Sequence, residues 1–230
     1  MNLLALETAT ESCSAALLTG AGLLTRSELA PRRHAQRLLP MCAELLDEAG
    51  IARSALDAIA VGRGPGAFTG VRLAISAAQG IALALDIPVV TVSSLAALAL
   101  DAPDNGAAIL AVIDARMGEV YAGCFARNAG RLIVAISEES VGSADQIELP
   151  PAAAWNVIGS GWNAHRDALA ARLPAPPHWS DGECYPQAQA VARLAAPIVL
   201  AGGGVAAEDA LPVYLRDKVA LTTEEQSRRP

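Results

Sequence analysis

The chain runs through the same order of elements twice, and that repetition constrains its fold more than any single motif. The opening stretch "LLALETATESCSAALLTGAGLLTRSEL" alternates apolar runs with turn residues at Thr8 to Glu11 and at Gly20-Ala21-Gly22. It predicts three consecutive strands. Leu38, Cys42, Leu45, Leu46 and Ala49 then recur at helical spacing, which predicts a helix over about 35–49 stopped by Gly50. The strand "LDAIAVG", a glycine loop, a helix over about 69–85, the strand "PVVTVS" and the short helix "SLAALAL" follow. Pro103-Asp104-Asn105-Gly106 is the sharpest punctuation, and it divides the chain into units 1–102 and 103–230. The second unit opens again on three strands, "AAILAVID", "GEVYAGCFA" and "GRLIVAIS". A shorter helical stretch, the strand "WNVIGSG" and a helix over about 164–173 continue it. Two such halves predict a duplicated α/β fold. The final "TTEEQSRRP" is expected to fray.

One late segment has two readings. "IVLA" before Ala201-Gly202-Gly203-Gly204 could be a strand leading into a second phosphate loop. Val191, Leu194, Ala195 and Ile198 instead share one helical face, running through Pro197 to a cap at Gly202. The helix is favoured.

Composition narrows the function classes. Of 230 residues, 53% are hydrophobic and only 3% aromatic, so the core must be built from Ala, Leu, Val and Ile. A net charge of -7 argues against a chain that coats nucleic acid by itself, because phosphate binding needs a basic face. No uninterrupted apolar run reaches the ~18 residues of a membrane span. Met1-Asn2-Leu3 leads directly into a strand rather than a signal peptide. Cys13, Cys42, Cys124 and Cys184 form no CxxC pair; reduced thiols in the cytoplasm are expected.

The glycine loop, "AVGRGPGAFTGVRLAIS", matches G-x-G-x-x-[GA] from Gly62 to Ala67, between a strand and a helix. No acidic residue ends the next strand, and no lysine precedes Lys218, so the Rossmann and P-loop patterns both fail. Two readings stay open. Backbone amides near Gly64 and Gly66 could hold an anion with help from Arg63 and Arg72, or the loop is a tight corner with Thr69 as helix cap. Glu7 and Thr8, at the end of the first strand, either place water or metal near phosphates or cap the next turn. Asp114 is the counterpart of Glu7 in the second half, but Ala115-Arg116-Met117 after it would crowd a phosphate. His34, His165 and His178 make no H-x-x-x-H or H-E-x-x-H pair, and no G-x-S-x-G elbow occurs. No cofactor and no metal are expected.

The helix after the loop carries only Arg72, Ser76 and Gln79 as polar residues between Val71 and Leu85. A helix on a soluble surface should show a polar face. Either the fold covers both faces or a partner covers one. In the partner reading the contact residues are His34, Leu38, Met41, Cys42 and Leu45 on the first long helix. Phe68, Arg72, Ala74, Ala77, Ala78 and Ile81 supply the second. Left alone, such a face predicts a homodimer.

"LALETATESCSAAL", "RRHAQRLLPM", "VGRGPGAFTGVRLAISAAQGIA", "IDARMGEVYAG" and "LPVYLRDKVA" together resemble, in order and over almost the whole chain, the bacterial TsaB (YeaZ) family. The resemblance implies a two-lobed fold of the actin/Hsp70/sugar-kinase type. It implies a non-catalytic partner of TsaD in forming threonylcarbamoyladenosine at position 37 of tRNAs reading codons that start with A. TsaE, an ATPase, would join the pair, and tRNA would be met only through the complex. TsaD-like relatives carry an H-x-x-x-H metal pair where Ser94 and Leu98 align. The rival reading is an ATP-dependent kinase-like or peptidase-like enzyme.

Overall fold

Short apolar runs between tight turns build an antiparallel meander of β1 (Leu3–Glu7), β2 (Ser12–Thr19) and β3 (Gly22–Leu29). The computed structural model describes residues 1–130 and 132–216; the tail expected to fray lies outside them. α1 (His34–Ala49) stops where the sequence places its stop. Gly50 is left-handed at φ 63° and donates to the Asp47 carbonyl, while Ile51 donates to the Leu46 carbonyl, the paired bonds of a Schellman closure. β4 (Ala58–Gly62), α2 (Phe68–Leu85) and β5 (Val89–Val92) then lay two parallel strands beside β1, in the order β3-β2-β1-β4-β5. α3 (Ser94–Leu100) starts at Ser93, whose Oγ accepts the Ala96 N–H at 3.1 Å.

The second half holds β6 (Ala108–Arg116), β7 (Glu119–Arg127), β8 (Ile133–Ala135), β9 (Ser140–Ser143), β10 (Trp155–Ile158) and β11 (Trp179–Asp181). Its sheet reads β8-β7-β6-β10-β11, with β9 also paired to β7. That order repeats the first sheet, meander then two parallel strands, so the duplicated two-lobed α/β fold is as expected. Its helices are α4 (Ser160–Ala164), α5 (Arg166–Ala170) and α6 (Ala188–Leu200).

Several local expectations are corrected. The helix expected over 164–173 is broken at His165, whose φ of -136° leaves the helical region. The shorter helical stretch is β9 followed by one 3-10 turn, Ala144–Gln146. α2 begins at Phe68 with Ala67 as its cap and no side-chain cap bond, so Thr69 is inside the helix. For 188–204 the helix reading holds. α6 runs through Pro197 to the cap Ala201. Gly202 (φ 73°) donates to the Val199 carbonyl at 2.9 Å and Gly203 to the Ile198 carbonyl at 2.8 Å, again a Schellman closure and no strand-to-helix loop.

Both faces of the first sheet are covered, which is why all five residues of β1 are buried. α1 and α2 cover one face, with Leu38, Met41, Leu45, Val71, Ala74 and Ala78 against Leu4, Leu6, Ile59 and Val61. α6 covers the other, where Ala188, Val191, Ala192 and Ala195 meet Leu3, Ala5, Ala58 and Ala60. α3 leaves the first half to pack Leu95, Leu98 and Ala99 on Ile109, Ala111, Ile113 and Phe125 of the second sheet. Each half therefore lends its last helix to the other. The first strand of the second sheet begins at Ala108, and residues 188–200 pack with the first sheet. α2 itself is long and apolar enough to cross a membrane by length and composition; Arg72 and Gln79 interrupt the run, which hides that length from a search for unbroken apolar sequence. Its face of Val71, Ala74, Ile75, Ala78 and Ala82 is built into the core.

Candidate partner interface and inter-lobe cleft

The loop between β4 and α2 crosses the turn between β1 and β2 at backbone contact, and this crossing accounts for its glycines. A Cβ on Gly62 would overlap the Glu7 carboxylate, one on Gly66 the Ala9 carbonyl and one on Gly70 the Thr8 carbonyl. Gly64 sits at φ 87°, in the left-handed region. The Ala67 N–H donates to the Ala9 carbonyl at 2.7 Å, and Thr8 Oγ1 donates to the Gly70 carbonyl at 2.7 Å. The β1–β2 turn thus fills the space the glycines leave. The chain's C-terminal described segment crosses the same loop: the Val213 N–H donates to the Arg63 carbonyl at 3.0 Å, and Gln79 Nε2 donates to the Ala210 carbonyl at 3.1 Å.

Glu7 lies beneath this crossing, 1% exposed. Its Oε1 accepts the Ala9 N–H at 2.6 Å and its Oε2 accepts the Ser94 hydroxyl at 2.7 Å. Burial pushes its carboxyl up from the usual 4.5 to about 7, against the lowering effect of those hydrogen bonds. Ser94 is therefore engaged by Glu7, and Leu98 is fully buried against the second sheet.

Asp114 is elsewhere. It lines a cleft of about 380 Å³ between the lobes, together with Glu11, His34, Arg116 and Tyr121; Glu7 does not reach it. Arg116 and Met117 are consecutive left-handed residues, φ 63° and 58°, in the β6–β7 hairpin. From there Arg116 pairs with Asp114 at 2.9 Å and spans the cleft to Glu11 at 2.5 Å. His34 donates its Nε2–H to the Thr10 carbonyl at 2.9 Å. Among the described residues no three His, Cys, Asp or Glu side chains group as metal ligands.

The eleven residues expected at a partner interface divide. Leu38, Met41, Cys42 and Leu45 of α1, and Ala74 and Ala78 of α2, are at most 5% exposed and form the chain's own core. Their placement on an outer face is corrected: the small residues at 74 and 78 let α2 lie close to the sheet, not to a partner. Phe68 and Arg72 are exposed, and His34, Ala77 and Ile81 are half-buried. The outward stripe of α2 is Arg72, Ser76, Gly80 and Ala84, every fourth residue. A Cβ on Gly80 would meet nothing within 4 Å.

Compared with known proteins, residues 25–224 match the family model described as TsaD: tRNA N6-adenosine threonylcarbamoyltransferase. The tRNA threonylcarbamoyladenosine biosynthesis protein TsaB of Escherichia coli is 39% identical over 231 residues, 96% of each chain. The chain belongs to the TsaB family. Two solved Pseudomonas aeruginosa structures agree. One, described as YeaZ, is 48% identical with a TM-score of 0.85, over 93% of this chain and 99% of its own. The other, described as an uncharacterized protein with similarity to peptidase YeaZ, is 49% identical with a TM-score of 0.85, over 94% and 99%. The two-lobed fold of the actin/Hsp70/sugar-kinase type follows with the family.

Tyr214 escapes the sequence reading, and so does the outward position of Gly80 among the small residues of α2. Tyr214 stands against Phe68 with ring centroids 5.9 Å apart, a contact spanning 146 positions that no spacing announces. Gly80 was one of several small residues, and its outward position depends on which face of α2 the sheet takes.

Proposed function

We propose that this chain is a non-catalytic subunit that docks on a TsaD subunit through the outer face of α2 and the adjoining part of α1. Docking enables threonylcarbamoyladenosine formation at position 37 of tRNAs reading codons that start with A. The observation that carries this reading is the stripe Arg72-Ser76-Gly80-Ala84, flanked by half-buried Leu73, Ala77 and Ile81 and by exposed Leu83; α1 also exposes Leu39. Small residues on an exposed helical ridge let a second helix approach closely, and bare apolar surface favours a partner.

The non-catalytic role is supported by how the loop and carboxylate are used. Glu7 is spent on Ala9 and Ser94, and the turn at Ala9 sits against the glycine loop. Gly64, Gly66, Glu7 and Thr8 in this reading join elements rather than bind a nucleotide. TsaE joins the pair as a third subunit, tRNA is met only through the complex, and the free chain pairs with a second copy in the cytoplasm. The test is nucleoside mass spectrometry of tRNA from cells depleted of the chain. The modified nucleoside is expected to disappear and to return with Glu7→Gln or Asp114→Ala. Failure of both variants to restore it, with folding intact, would favour the enzyme reading.

A further inference from the structure

Where the Arg72-Ser76-Gly80-Ala84 stripe begins, a cation lies against two rings. Phe68 and Arg72 are four residues apart on α2 and share a face. The Arg72 guanidinium carbon lies 3.3 Å from the Phe68 ring centroid and 5.1 Å from that of Tyr214. Phe68 is 49% exposed and Tyr214 48%, so both residues remain open to a partner beside the cation. Arg26, Arg37, Arg116 and Arg216 each pair with a carboxylate. Arg72 makes no ion pair among the described residues. Arg32, Arg33 and Arg53 are likewise exposed and without an ion pair among the described residues; what sets Arg72 apart is that its guanidinium lies against two half-exposed aromatic residues.

We infer that Phe68, Arg72 and Tyr214 form one docking hot spot, and that it receives an Asp or Glu side chain of the TsaD-type partner. This rests on the docking reading above. The stacked guanidinium is already ordered, so little rotamer freedom is lost on binding. Its planar fork suits a carboxylate, and the complementary charge sets the partner's chemistry. Arginine and aromatic residues are also the side chains that dominate measured interface energies. The ring of Tyr214 is brought in by the crossing segment. Val213 is tied to Arg63, and Arg216 donates to the Ala115 carbonyl at 3.1 Å and pairs with Glu119. The docking surface is thus assembled from both ends of the chain, and loosening 211–216 would remove a third of the hot spot.

The test is calorimetric titration of the purified chain with the purified TsaD subunit of the same organism, at ~100 and ~300 mM salt. Arg72→Gln and Tyr214→Ala are each expected to weaken binding at least tenfold, and Tyr214→Phe to restore what Tyr214→Ala loses. Arg72→Gln should also flatten the salt dependence, a readout that a purely steric role would leave alone. Gly80→Arg separates this idea from the docking reading. If Gly80→Arg abolishes binding while Arg72→Gln and Tyr214→Ala stay within twofold of the parent, the hot spot is overturned and the docking face stands. If all three bind as the parent does, or the parent does not bind, both are overturned. Should Tyr214→Ala lower the melting temperature, Arg72→Gln, on the surface, decides.

Discussion

Glu7→Gln should change how stability depends on pH. The folded carboxyl titrates near 7 rather than near 4.5 because burial penalises its charged form. The folded chain therefore holds this proton more tightly than the unfolded chain does. Between about pH 4.5 and 7 the folded state carries more protons, so stability falls as pH rises and levels off above 7. At about 1.4 kcal/mol for each pH unit, the rise from 4.5 to about 7 corresponds to about 3 kcal/mol of stability lost by pH 8. Glutamine fits the same place. Its oxygen can accept the Ala9 N–H, and its amide can donate to the Ser94 hydroxyl, which accepts as readily as it donates. The assay is urea unfolding of both proteins from pH 5 to 8. Asp101 is also raised by burial, but its slope is common to both and cancels in the difference. The variant should match the parent near pH 5 and exceed it by up to about 3 kcal/mol at pH 8. A difference that stays constant across the range would refute the placement of Glu7 as a buried carboxyl.

Ala78→Glu and Ala74→Arg should break the fold rather than the interface, because both positions are fully buried and an unpaired buried charge costs several kcal/mol; circular dichroism should show loss of the cooperative transition. Gly66→Ala should destabilise by about 2–3 kcal/mol, since its Cβ meets the Ala9 backbone carbonyl, and a thermal melt measures it. The chain alone should be a homodimer by light scattering at ~100 μM, well above the micromolar constants of weak specific pairs; a monomer there would remove self-association through α2.

Much of the fold was legible because its signals are local. Strand-and-turn alternation marks β1 to β3, and the recurrence of Leu38, Cys42, Leu45 and Leu46 marks α1 and its buried face. Gly50 and Gly202 mark helix ends through a conformation that glycine adopts freely. The misses are tertiary. α2 is apolar on both sides, so periodicity could not say which alanines face the sheet; Ala74 and Ala78 do, and Ser76 and Gly80 do not. Thr69 looked like a cap, but the start of α2 is set by the bond from Ala67 to Ala9. The glycines of the loop were visible, while their reason lies in chain segments about 55 to 60 residues earlier. The exchange of α3 and α6 between lobes, and the crossing of 211–216 over the loop, leave no pattern in the residues themselves.

The docking of α2 on a TsaD subunit is tested most directly by binding of the Gly80→Arg variant, since Gly80 is exposed and its substituent meets open space. Gly20→Arg, also exposed with nothing within 4 Å and placed in the β2–β3 turn, is the charge-matched control. Titrated against the purified TsaD subunit, Gly20→Arg should bind as the parent does. Gly80→Arg should weaken binding at least a hundredfold, because closing the interface would desolvate the charge or hold the helices apart. If Gly80→Arg keeps its fold and binds as tightly as Gly20→Arg, the outer face of α2 is not where the partner docks.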